Sequence, residues 1–136
     1  MLTSKQIEEI LARKPLKRYR YFVRTVAQEE VVWSLADEEE GWLLMDVAAD
    51  TPETAFVVFP HEAFAERFRN QSGFETFRVT AIDLYEYMEW LDDFASEKIR
   101  VAVFPSPDLE GTVIAAEELK NDLLSELKTQ ADAEQP

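Results

Sequence analysis

The chain has 136 residues, of which 46% are hydrophobic and 12% are aromatic, enough for a single domain with a substantial core. It contains no cysteine and one histidine, which excludes disulfide frameworks, thiolate metal sites and ordinary zinc sites. No apolar stretch approaches the roughly 20 residues that a membrane-spanning helix needs. These features predict a cytoplasmic domain that makes no contact with a membrane.

The formal net charge of −14 is unevenly distributed. Residues 1–30 carry seven Lys or Arg residues against four Glu, a net charge of +3, which leaves −17 for the remainder. Solubility is one interpretation of such an excess. The other is that the acidic surface binds a basic partner.

Two helices are predicted at the start of the chain. Thr3 and Gln6 form a T-x-x-Q capping box, and Pro15 is expected to end the first helix. The second helix covers residues 16–30, and its apolar stripe is Leu16, Tyr19, Phe22, Val23 and Val26.

The middle of the chain predicts a hairpin followed by a further strand, a helix and another strand. Strands at 31–37 and 41–48 flank a turn that ends in Gly41, and a third strand at 55–60 follows a turn at 51–54. Residues 61–69 predict a short helix with Phe64, Ala65 and Phe68 inward, and residues 74–80 a strand.

Residues 81–105 predict an amphipathic helix that leads into a buried strand. Strand 112–115 and a helix at 115–127 follow, and residues 129–136 are expected to form a polar tail after a domain at 1–128. The apolar stripe of the long helix is Leu84, Tyr87, Met88, Leu91, Phe94 and Ala95, and its acidic side is Asp83, Glu86, Glu89, Asp93 and Glu97.

This order of elements predicts a single α+β domain, with a largely antiparallel sheet of about five or six strands and helices over one face. The strand–helix–strand unit at about 74–104 is expected to contribute a parallel pair.

Several short sequence landmarks, mostly aromatics and strand-ending prolines, follow one another along residues 16–128. They are Arg18-Tyr19 with Phe22, Trp33, Gly41-Trp42, Phe59-Pro60 with Phe64, Trp90, Val103-Phe104-Pro105 and Leu119. In order and spacing the chain resembles the bacterial domain-of-unknown-function family 2750. The resemblance supports the fold, carries no assigned activity or known catalytic residue, and leaves the function open.

The sequence gives little support for the common catalytic and cofactor-binding motifs. There is no G-x-S-x-G, and any Ser-His-Asp triad would have to use His61, which follows a proline at a helix start. The acidic run 37–41 fails the calcium-loop pattern because Gly41 is at its fifth position. Three isolated glycines do not make a phosphate loop. We therefore predict no catalytic residue, no cofactor and no metal.

One basic cluster also contains an aromatic residue, a combination that suits nucleic acid. The −17 charge of the remainder would repel a phosphate backbone, so a solvated basic face is favoured and no nucleic-acid partner is predicted. The cluster is Arg13, Lys14, Lys17, Arg18, Arg20 and Arg24, with Tyr21.

The favoured interpretation is a non-catalytic protein-binding domain, an acidic inhibitor or immunity-like protein that engages a basic partner. The residues predicted to contact that partner are Asp83, Glu86, Glu89, Trp90 and Asp93. The alternative is a small-ligand-binding protein or hydrolase with a pocket near Trp33, Trp42, His61 and Arg18. Self-association through the basic second helix and the acidic helix of another copy is a third possibility.

Overall fold

The computed structural model describes residues 2–39, 41–46, 54–106 and 111–134. Within these ranges the helices are α1 (Ser4–Leu11), α2 (Pro15–Glu29), α3 (Glu62–Gln71), α4 (Leu84–Glu97) and α5 (Ala116–Glu134). The strands are β1 (Val31–Asp37), β2 (Gly41–Trp42), β3 (Leu44–Asp46), β4 (Thr54–Val58), β5 (Arg78–Asp83), β6 (Arg100–Val103) and β7 (Thr112–Ala115).

The first helix starts as its capping signal predicts, whereas the prediction for Pro15 was wrong. Thr3 caps α1, and both hydrogen bonds of its box with Gln6 are present, which confirms that prediction. Pro15 does not end α1, which stops at Leu11; it is the first residue of α2 instead, where its missing N–H costs nothing. The predicted stripe of α2 is buried except for Leu16, whose side chain is 57% exposed.

The α+β class is confirmed, with the strands divided between two sheets. One sheet has the order β2-β1-β5 and is antiparallel; the other has the order β3-β4-β6-β7, in which β4 and β6 are parallel. A backbone bridge between Trp33 and Phe59 joins the sheets, and the Ser34 hydroxyl donates to the Val57 carbonyl across 2.5 Å. The two sheets therefore share one core.

The predicted strand at 41–48 divides because its two ends pair with different sheets. Residues 41 and 42 pair with the end of β1, whereas Leu44 lies opposite Phe56 of β4. Leu43 lies between them, buried, and its N–H still donates to Leu35 of β1 at 2.9 Å. Residues 47 and 48, and residues 51–53 of the turn predicted at 51–54, lie outside the described residues.

The parallel pair exists, but its predicted partners were wrong. β6 pairs with β4, whereas β5 pairs with β1 in the other sheet. β5 also starts later than predicted, because Phe74 and Phe77 form a turn held by a 2.9 Å hydrogen bond, with Phe74 stacked on Phe68. Residues 81–83, expected in the helix, complete β5 instead.

The C-terminal helix packs against both α2 and α4. Its inner side is formed by Ala116, Leu119 and Leu123, all buried. The helix continues to Glu134, so most of the segment predicted as a polar tail is helical. None of the helices in the described ranges has the length and apolar character to cross a bilayer.

Candidate functional site

The exposed side of α4 carries the acidic residues that the sequence predicts to contact a partner. Helix α4 has five acidic side chains and no basic one. We call the four exposed carboxylates Asp83, Glu86, Glu89 and Asp93 the acidic surface. They are the charged members of the predicted contact set, and the structure brings them to the outer side of one helix.

The opposite side of α4 is committed to the core. Leu84, Tyr87, Met88 and Leu91 are buried, so their burial fixes the rotation of the helix about its axis. Asp83 fixes its start, because one carboxylate oxygen accepts hydrogen bonds from two backbone N–H groups at 3.1 Å. The acidic surface therefore has a rigid base.

The charges of this surface are not neutralised within the described part of the chain. Glu86, Glu89 and Asp93 form no salt bridge with a described residue. The neighbouring Asp92 differs, since its carboxylate oxygens lie 2.8 Å from the Lys120 ammonium. The negative potential over the outer side of α4 is thus available to a partner.

Tyr85 places an aromatic ring beside these carboxylates. Its side chain is 50% exposed. Interaction of its hydroxyl with the Glu30 carboxylate is the main cause that raises the pKa of Tyr85 above its ordinary value. The Glu30 carbonyl accepts a hydrogen bond from the N–H of Leu84 at 3.1 Å, which places residue 30 beside the start of α4. A half-exposed tyrosine among carboxylates resembles the anchors of protein interfaces.

Trp90, the fifth predicted contact residue, is only partly exposed. Its ring lies 5.6 Å from that of Trp42, 6.1 Å from Tyr87 and 6.5 Å from Phe56. Most of the indole is therefore an extension of the aromatic core, and its exposed edge borders the acidic surface. The sequence pattern placed Trp90 at the margin of the acidic side but did not reveal these neighbours.

The four residues of the alternative pocket lie in different surroundings. Trp33 pairs through its backbone with Phe59, and Trp42 packs against Trp90. His61 is the N-cap of α3, and its Nδ1 accepts from a backbone N–H at 3.2 Å. The surface clefts beside α2 and between α1 and α3 are lined by other residues. That pocket stays a prediction.

Arg18 has a structural environment that its position in the sequence did not predict. Its side chain is 3% exposed although it belongs to a basic run. The guanidinium donates to the carbonyls of Arg13 at 2.6 Å, and of Leu11 and Phe104 at 3.4 Å. It thereby ties the end of α1 to the end of β6, where Phe104 has a φ of 51°. A charged residue within an apolar stripe (positions 18, 19, 22) was the available signal.

A surface cleft of about 270 Å³ lies where α1 meets α3. Ile7, Arg67 and Asn70 are among its lining residues, and Arg67 is engaged in a salt bridge with Glu8. Among the described residues, no three His, Asp or Glu side chains converge closely enough to hold a metal ion.

A family model described as "Protein of unknown function (DUF2750)" matches residues 19–123, about three quarters of the chain. No curated protein matches the sequence.

Proposed function

The chain belongs to the DUF2750 family, and we propose that it is a non-catalytic binding domain that engages a basic protein through the acidic surface of α4. The observation that supports this proposal is the set of exposed carboxylates, unpaired within the described chain, on a helix whose other side is buried. An inhibitor or immunity-like role would use such a surface to cover a basic patch of its target.

The geometry suits a partner with one or more Lys or Arg side chains in a row. From Asp83 to Asp93 the acidic surface extends roughly 15 Å along the helix, at about 1.5 Å per residue. Tyr85 and the exposed edge of Trp90 add aromatic area, which the centres of protein interfaces favour. The charges would mainly accelerate association, and their effect would decline as salt screens them.

The proposal is tested by comparing two charge-reversed variants in a pull-down from host lysate. The first carries Glu86→Lys, Glu89→Lys and Asp93→Lys. We expect wild type to retain a basic protein at low salt and to release it at high salt, because screening weakens the contact. The triple variant should retain none of it, since reversed charges repel the same partner.

A matched control separates the site from the total charge. Glu9→Lys, Glu66→Lys and Glu75→Lys change the net charge equally at exposed positions outside α4. This control should retain the partner nearly as well as wild type. Equal losses of partner retention in both variants would show that overall charge causes the effect, and would refute a binding site on α4. Circular dichroism and urea unfolding check that both variants are folded.

A further inference from the structure

The basic residues near the start of the chain form a second charged feature, along α2. A surface cleft of about 350 Å³ lies beside this helix. Its lining is basic and aromatic, without any carboxylate: Arg13, Lys17, Arg20, Tyr21 and Arg24. We call it the basic cleft. Its volume is at the lower end of the range for small-ligand sites.

Helix geometry explains why these side chains meet. Residues 17, 20, 21 and 24 are spaced by three or four, so they lie on neighbouring turns of one side of α2. Residue 13 precedes the helix, and its guanidinium carbon lies 5.8 Å from the centre of the Tyr21 ring. Since Tyr21 also contacts the rings of Phe64 and Phe104 at 6.3 and 6.2 Å, the base of the cleft is part of the core.

Three positive charges of the cleft have no salt-bridge partner in the described structure. Lys17, Arg20 and Arg24 are exposed and form no salt bridge with a described residue, whereas Arg67, Arg78 and Lys120 elsewhere each have one. Arg20 and Arg24 also border a second cleft, toward α5, that contains Asp122 and Glu126. There the Tyr19 hydroxyl donates to the Asp122 carboxylate.

The arrangement also opposes the helix dipole. The first turn of α2 has no acidic residue and includes Lys17, while Glu29 is at its last position. A cation near a helix N-terminus and an anion near its C-terminus are each unfavourable. An anion bound in the basic cleft would offset the unfavourable interaction of Lys17 with the helix N-terminus. It would also relieve the repulsion among the basic side chains.

We propose that the basic cleft binds a compact phosphate-class anion, a small molecule with at least two phosphoryl groups in a row. Guanidinium groups bind phosphate oxygens in a bidentate manner, and the lysine adds a point charge. The rest of the chain carries a large negative charge, which repels any part of an extended polyanion that reaches beyond the cleft. A short polyphosphate group remains among the cations and avoids that repulsion.

The test is titration calorimetry with sodium pyrophosphate at about 0.15 M salt, near the physiological ionic strength. We expect wild type to bind it saturably at one site. The double variant Lys17→Gln, Arg20→Gln should bind at least about tenfold more weakly, because it loses two charge-assisted contacts. The control Lys5→Gln, Lys128→Gln removes the same charge from exposed positions outside the cleft and should bind within about twofold of wild type.

Three results would overturn the proposal. The first is an absence of pyrophosphate binding to wild type, and the second is equal weakening of binding in both double variants. The third is tighter binding of a twelve-residue oligothymidine than of pyrophosphate, which would assign the cleft to single-stranded nucleic acid instead. Since the calorimetry uses no protein partner, its outcome is independent of the role proposed for α4.

Discussion

Replacing Arg18 by Met tests how far one buried guanidinium holds the fold together. Arg18 donates to three backbone carbonyls, one of them at 2.6 Å and two at 3.4 Å. A charge-assisted hydrogen bond contributes about 1.5–3 kcal/mol, and a carbonyl left buried without a donor adds a further penalty. Methionine keeps the helix propensity and much of the apolar contact. We therefore expect a loss of about 3 kcal/mol.

Urea unfolding at 25 °C measures this loss. With a slope of about 2 kcal/mol per molar urea, the midpoint should fall by roughly 1.5 M. Arg20→Met, at an exposed position on the same helix, is the matched control and should change the free energy of unfolding by less than about 0.5 kcal/mol. Equal effects of the two substitutions would show that the hydrogen bonds of Arg18 do not stabilise the fold.

Three further substitutions test individual contacts by urea unfolding. The Tyr87 hydroxyl is buried without a partner among the described residues. Tyr87→Phe should therefore leave stability unchanged or raise it by up to about 1 kcal/mol. A loss of stability greater than about 1 kcal/mol would show that the hydroxyl is hydrogen-bonded. Asp83→Ala removes the cap of α4 and should cost about 1 kcal/mol, whereas Glu86→Ala should cost much less; similar costs would contradict the capping role. Burial and the hydrogen bond to Asp122 raise the pKa of Tyr19 far above its ordinary value. The unfolded chain therefore loses this proton first as the pH rises above about 10, and wild type should lose stability there. Tyr19→Phe should reduce that alkaline loss, and parallel pH profiles for the two proteins would contradict it.

Local patterns were sufficient to predict most of the elements. The capping box at Thr3, the stripe of α2 apart from Leu16 and the strand at 31–37 depend on residues close in sequence, and they form as predicted. The acidic and apolar sides of α4 followed from helical spacing alone. The charged side chains of the predicted contact set lie together because three of them belong to that helix and Asp83 is its N-cap.

Long-range pairing was not encoded in such patterns. The division of residues 41–46 between two sheets depends on where β4 lies, which no local signal specifies. The same holds for the parallel pairing of β4 with β6. Arg18 was grouped with the exposed basic residues because its burial depends on carbonyls at Leu11 and Phe104, the latter 86 positions away.

The most direct test of the proposed binding role is hydroxyl-radical footprinting of the protein with its captured basic partner. Tyr85, half exposed beside the acidic surface, reports on contact there, and buried Tyr87 on the same helix is the internal control. The account predicts that oxidation of Tyr85 falls when the partner binds at low salt and recovers at high salt, with no change at Tyr87. Unchanged oxidation of Tyr85 in a complex that has formed would contradict it.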